Sequence, residues 1–136
     1  MEYQELIVKA IEAKKFAYVP YSHFRVGAAL LTKSGKIYTG CNIENASYTP
    51  TNCAERTAVF KAVSEGEMEF EAIVVNGDNH DYLTPCGVCR QVLAEFCELD
   101  TFQVILANSV EDYKVVTLGQ LLPGAFLTKN LKPGNY

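Results

Sequence analysis

Cys53-Ala54-Glu55 and, after 29 intervening residues, Pro85-Cys86-Gly87-Val88-Cys89 put three thiols and one carboxylate into two short motifs. Three thiolates are one ligand short of the closed tetrahedron of a structural zinc site, and the open position admits a water that the metal acidifies toward neutrality. Three ligands beside a base make a hydrolytic arrangement. Glu55 is a poor fourth ligand, because the adjacent position already aims Cys53 at the metal, yet its carboxylate can reach the metal's water and act as a proton shuttle. Three thiolates also bring about −3 against the +2 of zinc, which blunts the metal's acidifying power unless positive groups offset it. Two helix N-termini can do so, with Arg56 and Arg90 standing next to the ligands; Arg56 is the expected hydrogen-bond donor to thiolate sulfur.

The surrounding elements must bring these motifs together. Tyr3 to Ala17 carries apolar residues at helical spacing and predicts an amphipathic helix that ends before Pro20. Phe24–Thr32 and Ile37–Cys41 flank the turn Lys33-Ser34-Gly35-Lys36 and read as a hairpin, followed by a loop from Asn42 to Asn52. A helix from about Cys53 to Ser64, capped by Thr51 or Asn52 and stopped by Gly66, leads to a strand at Phe70–Val75. Thr84 as N-cap and Pro85 at the first helical position predict a helix to about Glu98. Strands at Phe102–Ala107 and Tyr113–Val116 follow, then a helical turn at Thr117–Leu122 and a loosely held tail from Lys129. Cys53 and Cys86 thus fall in the first turns of their helices, with Cys89 on the same face as Cys86. The order implies an α/β fold, a three-layer α/β/α sandwich around a mixed five-stranded sheet, and the 136 residues read as a single domain spanning 1–136.

Composition narrows the function. With 12 Lys and Arg against 16 Asp and Glu, the net charge is −4 and the charges are mixed, which argues against nucleic acid as a partner. The opening Met1-Glu2-Tyr3-Gln4-Glu5 lacks a basic export signal and no apolar run approaches the ~18 residues of a membrane span, so a cytoplasmic protein is expected. Five cysteines cannot all pair within the chain, and reduced thiols are the working reading, with Cys41 and Cys97 as small buried residues. The histidines, His23 and His80, are read as structural groups rather than ligands.

Beyond the cysteine motifs, the chain resembles the cytidine deaminase family, specifically its small members that act on free nucleosides. The resemblance runs through Pro20-Tyr21-Ser22-His23-Phe24-Arg25-Val26-Gly27-Ala28-Ala29, Gly40-Cys41-Asn42-Ile43-Glu44-Asn45-Ala46-Ser47-Tyr48, Asn52-Cys53-Ala54-Glu55-Arg56-Thr57-Ala58, Thr84-Pro85-Cys86-Gly87-Val88-Cys89-Arg90-Gln91 and Leu121-Leu122-Pro123-Gly124-Ala125-Phe126. Zinc deaminases carry a Cys₃ or His/Cys/Cys ligand set with a glutamate that is not a ligand; here cysteine takes the histidine's place. The resemblance implies one zinc per chain on Cys53, Cys86 and Cys89, with Glu55 shuttling protons as zinc-bound hydroxide attacks C4 of cytidine or deoxycytidine in pyrimidine salvage. It further implies that Asn42 and Glu44 bind the ribose 3′-hydroxyl, that Phe24 packs on the pyrimidine, and that the backbone of Ala54 and Thr84 contacts the base. Phe126 would close a neighbouring subunit's pocket in a homotetramer.

Other readings stand beside this one. A carboxylate at Glu44 near the sugar would repel a phosphate ester, favouring free nucleosides over cytidylate or polymers. An aminonucleoside-antibiotic deaminase of the blasticidin type shares the zinc motifs, though not Asn42-Ile43-Glu44-Asn45. A C-x-x-C can also belong to a noncatalytic zinc or redox module, in which Cys86 and Cys89 would form a reversible disulfide.

Overall fold

The computed structural model describes residues 3–131. Its elements are α1 (Gln4–Ala13), β1 (Val26–Thr32), β2 (Ile37–Cys41), α2 (Ala54–Ser64), β3 (Phe70–Gly77), α3 (Gly87–Phe96), β4 (Gln103–Ala107), β5 (Tyr113–Thr117) and α4 (Leu118–Leu121), with 3₁₀ turns at Lys14–Phe16 and Thr128–Leu131. The strands form one 5-stranded sheet in the order β2-β1-β3-β4-β5. β1 is antiparallel to both its neighbours, β3 and β4 are parallel, and β5 is antiparallel to β4. The mixed sheet expected from the sequence is present, its parallel pair joined through α3, as parallel strands require a crossover.

Alternation along the strands sorts the core into two layers. Ala29, Ala72, Val74 and Ile105 face α1 and pack on Leu6, Ile7 and Ala10. Their neighbours Ala28, Leu30, Ile73 and Val104 face the opposite side and pack with Ala58, Val59, Ala62 and Leu93 of α2 and α3. Each large apolar side chain that becomes fully buried here, such as Ile73, Leu93 or Phe102, contributes about 1.5–3 kcal/mol relative to exposure. Being antiparallel to the same strand, β2 and β3 run in one direction, and both Cys41 and Asn76 pair with Gly27. The two strands therefore deliver the loops that lead to α2 and α3 from the same end of the sheet.

The elements differ from expectation at their ends. α1 stops at Ala13, and after the 3₁₀ turn Ala17 is already extended. The cause is tertiary: the Tyr18 N–H donates to Asn42 O (3.0 Å) and Tyr18 O accepts from the Glu44 N–H (2.9 Å), so the chain must leave the helix to bind this loop. β1 starts at Val26 rather than Phe24. β5 reaches Thr117, whose hydroxyl accepts from the Gln120 N–H (3.3 Å) while Gln120 Oε1 accepts from the Thr117 N–H (2.9 Å), a capping box that starts the short helix α4. Gly66 (φ +90°) ends α2 as expected. Of the tail, the 3₁₀ turn through Leu131 is described, and residues 132–136 lie outside the described residues.

Close approach fixes the helices on the sheet. A Cβ on Gly40 of β2 would stand 2.3 Å from Ala54 O and 2.7 Å from Ala58 N, both backbone atoms of α2. Neither can swing aside as a side chain would. Gly40→Ala should therefore push α2 away from β2, lowering stability by about 1–3 kcal/mol or more in denaturant unfolding. A change below about 0.5 kcal/mol, typical of innocuous surface substitutions, would show that the helix is not held at this contact.

Candidate active site

Cys53 and Cys86 are the N-cap residues of α2 and α3, with extended backbone (ψ 158° and 169°), not first-turn residues as the sequence suggested. Cys86 Sγ accepts from the Cys89 N–H (3.5 Å), so sulfur occupies the capping position expected for Thr84. Thr84 instead accepts from Arg90 Nη2 (3.1 Å). Cys89 is buried one turn into α3. The Sγ atoms of Cys53 and Cys86 are 3.7 Å apart, those of Cys86 and Cys89 3.5 Å, and all three lie within 4.8 Å of one another. Thiolates held about 2.3 Å from one zinc at tetrahedral angles stand about 3.8 Å apart. The donor set thus fits a zinc ion, with the remaining apex free for a small ligand.

Charge is arranged to match. Arg56 Nη2 donates to Cys53 Sγ (3.3 Å), as expected from its place in the motif. Arg90 does not reach the sulfurs: its guanidinium binds Pro85 O (2.7 Å) and Leu121 O (2.8 Å), tying the entry of α3 to α4. The Cys53 thiol is pulled down to about 5 by the hydrogen bond from Cys89 and by Arg56. The same bond to Cys53 pushes Cys89 up, reinforced by burial. Zinc bound by these sulfurs would displace the thiol protons that remain.

Glu55, in the first turn of α2, is only 4% exposed. Burial raises its carboxyl to about 7, with the Cys53 thiolate pushing the same way and Arg56 opposing. No other side chain among the described residues hydrogen-bonds it. It lines a cleft of about 200 Å³ together with Phe24, Val26, Asn42, Cys53, Ala54, Leu83, Thr84 and Cys86. A larger depression, about 530 Å³, lies between α1, β2 and α2, but it contains neither Glu55 nor the three clustered thiols. Chemistry rather than size marks the smaller one.

The other residues singled out in the sequence divide into two groups. Phe24, Asn42, Ala54 and Thr84 share the cleft. Glu44 lines a separate depression with Tyr21, Ser22, Tyr48 and Thr51. Its carboxylate accepts from the N–H groups of Tyr21 (3.0 Å) and Ser22 (3.1 Å) and from the Ser22 hydroxyl; the hydroxyl's bond holds it below the usual carboxylate range. Phe126 is 58% exposed and does not line this chain's own cleft. Cys41 and Cys97 are partly buried and outside the metal cluster, and desolvation raises both thiols, Cys97 to about 12. That suits inert packing groups.

Sequence reasoning missed Val26 and Leu83 as lining residues, since an apolar residue in a strand or loop carries no signal of which cavity it faces. It also gave no role to Thr57, whose hydroxyl lies 3.1 Å from both Cys41 O and Cys53 O and accepts from Asn52 Nδ2 (3.1 Å). This hydroxyl links the end of β2 to the cap of α2.

Comparison with known proteins agrees with the geometry. Residues 1–105 match the family model of the cytidine and deoxycytidylate deaminase zinc-binding region. A cytidine deaminase of Halalkalibacterium halodurans is 54% identical over 131 residues, 96% of this chain and 98% of the relative. One of Sporosarcina psychrophila is 52% identical over 131 residues, 96% of each chain. The crystal structure of cytidine deaminase from Burkholderia pseudomallei aligns with a TM-score of 0.87 at 50% identity, covering 93% of this chain and 100% of that one. Ligand spacing, fold and relatives converge, and the chain belongs to the cytidine and deoxycytidylate deaminase family.

Proposed function

We propose that this protein hydrolyses the amino group of free cytidine and deoxycytidine, releasing ammonia and leaving uridine and deoxyuridine, with zinc on Cys53, Cys86 and Cys89 and with Glu55 as proton carrier. The observation that carries this is a buried carboxylate with no side-chain hydrogen-bond partner among the described residues, lining a cleft with Cys53 and Cys86, whose sulfurs cluster with that of the buried Cys89. Zinc bound there supplies an acidified water and a Lewis acid at C4 of the base. Glu55 would take one proton from the attacking water and deliver it to N3 as the oxygen bonds to C4, then pass the proton of the new C4 hydroxyl to the amino group as the C4–N bond breaks and ammonia leaves. A carboxyl raised by burial to about 7 suits both directions of transfer near neutral pH. Phe24 packs against the pyrimidine, and the Ala54 and Thr84 backbones meet its polar edge.

The sugar would run from the cleft toward Glu44, since Asn42 lines the cleft and the same loop, held by Tyr18, carries Glu44 two residues on. Asn42 Oδ1 already accepts from the Val26 N–H (2.9 Å) and its amide donates to Phe24 O (2.9 Å); the oxygen's second lone pair and a remaining N–H serve the 3′-hydroxyl. The ionised Glu44 disfavours a phosphate ester. We further read the chain as a single domain, 1–136, acting as a cytoplasmic homotetramer in which Phe126 covers a neighbour's cleft. The exposure of Phe126 and its absence from the lining of its own cleft support the assembly. No helix among the described residues is long and apolar enough to cross a membrane.

Ultraviolet absorbance of zinc-replete protein with cytidine, deoxycytidine and cytidine monophosphate tests the substrate reading. The nucleosides should be converted and the nucleotide spared; comparable turnover of the nucleotide would remove the role given to Glu44, and turnover of none would end the proposal. Glu55→Gln should keep one zinc per chain while kcat falls by roughly 10²–10⁴ or more, whereas Cys53→Ser, Cys86→Ser and Cys89→Ser should each lose metal by elemental analysis. Sedimentation should give the mass of four chains, and a stable, fully active monomer would exclude the role of Phe126 in trans.

A further inference from the structure

Phe24 forms an aromatic wall of the cleft but belongs to no strand, because β1 begins at Val26. Side chains supply the hydrogen bonds that a sheet ladder would otherwise give this segment. The Phe24 N–H donates to Ser22 Oγ (3.1 Å), Phe24 O accepts from Asn42 Nδ2 (2.9 Å), and the Val26 N–H donates to Asn42 Oδ1 (2.9 Å). Between them, the Arg25 N–H donates to Asp78 Oδ2 (2.8 Å). The same carboxylate takes Arg25 Nε (3.0 Å) and Nη2 (3.2 Å) on its two oxygens, a bidentate pair, and Lys14 Nζ lies 3.4 Å away. One side chain after the end of β3 thus ties down the segment leading into β1 and the turn following α1.

Gly77, immediately before Asp78, completes the arrangement. A Cβ there would stand 3.1 Å from Cε1 and Cζ of Phe24 and 2.8 Å from Cδ2 of Leu83, so both cleft walls lean on bare backbone. Asp78 itself does not line the cleft.

We propose that Asp78 is a positioning residue for the reaction: by pinning the Arg25 amide and guanidinium to the end of β3, it seats the Phe24 ring against Gly77 where the substrate's base packs. This rests on Phe24 contacting the pyrimidine, as proposed above. A wall that meets the base alike in ground and transition state supplies uniform binding, so its loss raises KM and spares kcat. The side chains of Arg25 and Asp78 are 48% and 24% exposed, and ion pairs of such exposure contribute little to folding. The clamp's effect is therefore local.

Steady-state kinetics on zinc-loaded wild type, Asp78→Ala, Phe24→Ala and the double variant test the proposal. Asp78→Ala should raise KM for cytidine by about fivefold or more with kcat within about twofold and one zinc per chain. In the Phe24→Ala background the same change should leave KM within about twofold, because the two residues act as one unit. Asp78→Asn keeps an acceptor for the Arg25 N–H and should restore most of the lost KM; if Asp78→Ala does not fold, a smaller rise in Asp78→Asn that vanishes with Phe24→Ala is the expected result. An unchanged KM, or an equal penalty with and without Phe24, overturns the proposal. If wild type fails to convert cytidine, the functional reading is what fails, and the clamp is then judged by nuclear magnetic resonance. Displaced Phe24 ring and Arg25 amide signals in Asp78→Ala, at an unchanged unfolding midpoint, support it; undisplaced signals refute it.

Discussion

Everything at this site depends on balancing the negative charge of three sulfurs gathered within 4.8 Å. Thiolates so close repel one another, and even the +2 of zinc leaves an excess of about −1. The fold answers with the amino ends of two helices, where unpaired N–H groups and the helix dipole favour anions, and with Arg56 on Cys53. That balance is also what makes Glu55 useful. Burial pushes this carboxyl toward its neutral form, with the Cys53 thiolate adding to the push and Arg56 opposing it, and it stands at about 7, the range that the proposed proton transfer needs.

The sheet makes the convergence possible. β2 and β3 flank β1, both run opposite to it, and both reach the row of Gly27 near their ends. Their following loops therefore leave the sheet side by side, though the cysteines they carry are 33 positions apart. Close contact then fixes the depth of each helix: Gly40 lets the backbone of α2 rest on β2, and Gly27 does the same for α1, where a Cβ would fall 2.0 Å from Ala10 O. The apolar layers hold the sheet between helices, and the glycines set the distances at which the cysteines are presented.

Around the cleft, irregular backbone is held by side chains instead of ladders. Asn42, Asp78 and Ser22 bind the segment before β1. Across the cleft, Asn108 Nδ2 donates to His80 O (3.2 Å) and the Tyr82 hydroxyl to Asp112, anchoring the loop that carries Leu83 and Thr84. Buried or crowded backbone groups need partners, and polar side chains can supply them in conformations that a strand does not allow. Tyr82 at φ +52° and His23 at φ +57° are such conformations.

Much of this was legible in the order of residue types. Cys53, Glu55, Cys86 and Cys89 announce their chemistry because few residue sets at that spacing can bind zinc and move a proton, and the alternating and helical apolar patterns announced the layers because burial imposes those periods. Legibility stopped where a residue's meaning depends on a distant neighbour. Cys53 and Cys86 became helix caps, Arg90 found the carbonyls of Pro85 and Leu121 rather than sulfur, and the Glu44 carboxylate also holds the Tyr21–Ser22 turn. Local sequence dictates which hydrogen bonds a side chain is able to make. Which of them it makes is decided by the partners that the folded chain brings within about 3 Å, a range over which hydrogen bonds form or fail, and that is a property of the tertiary structure alone.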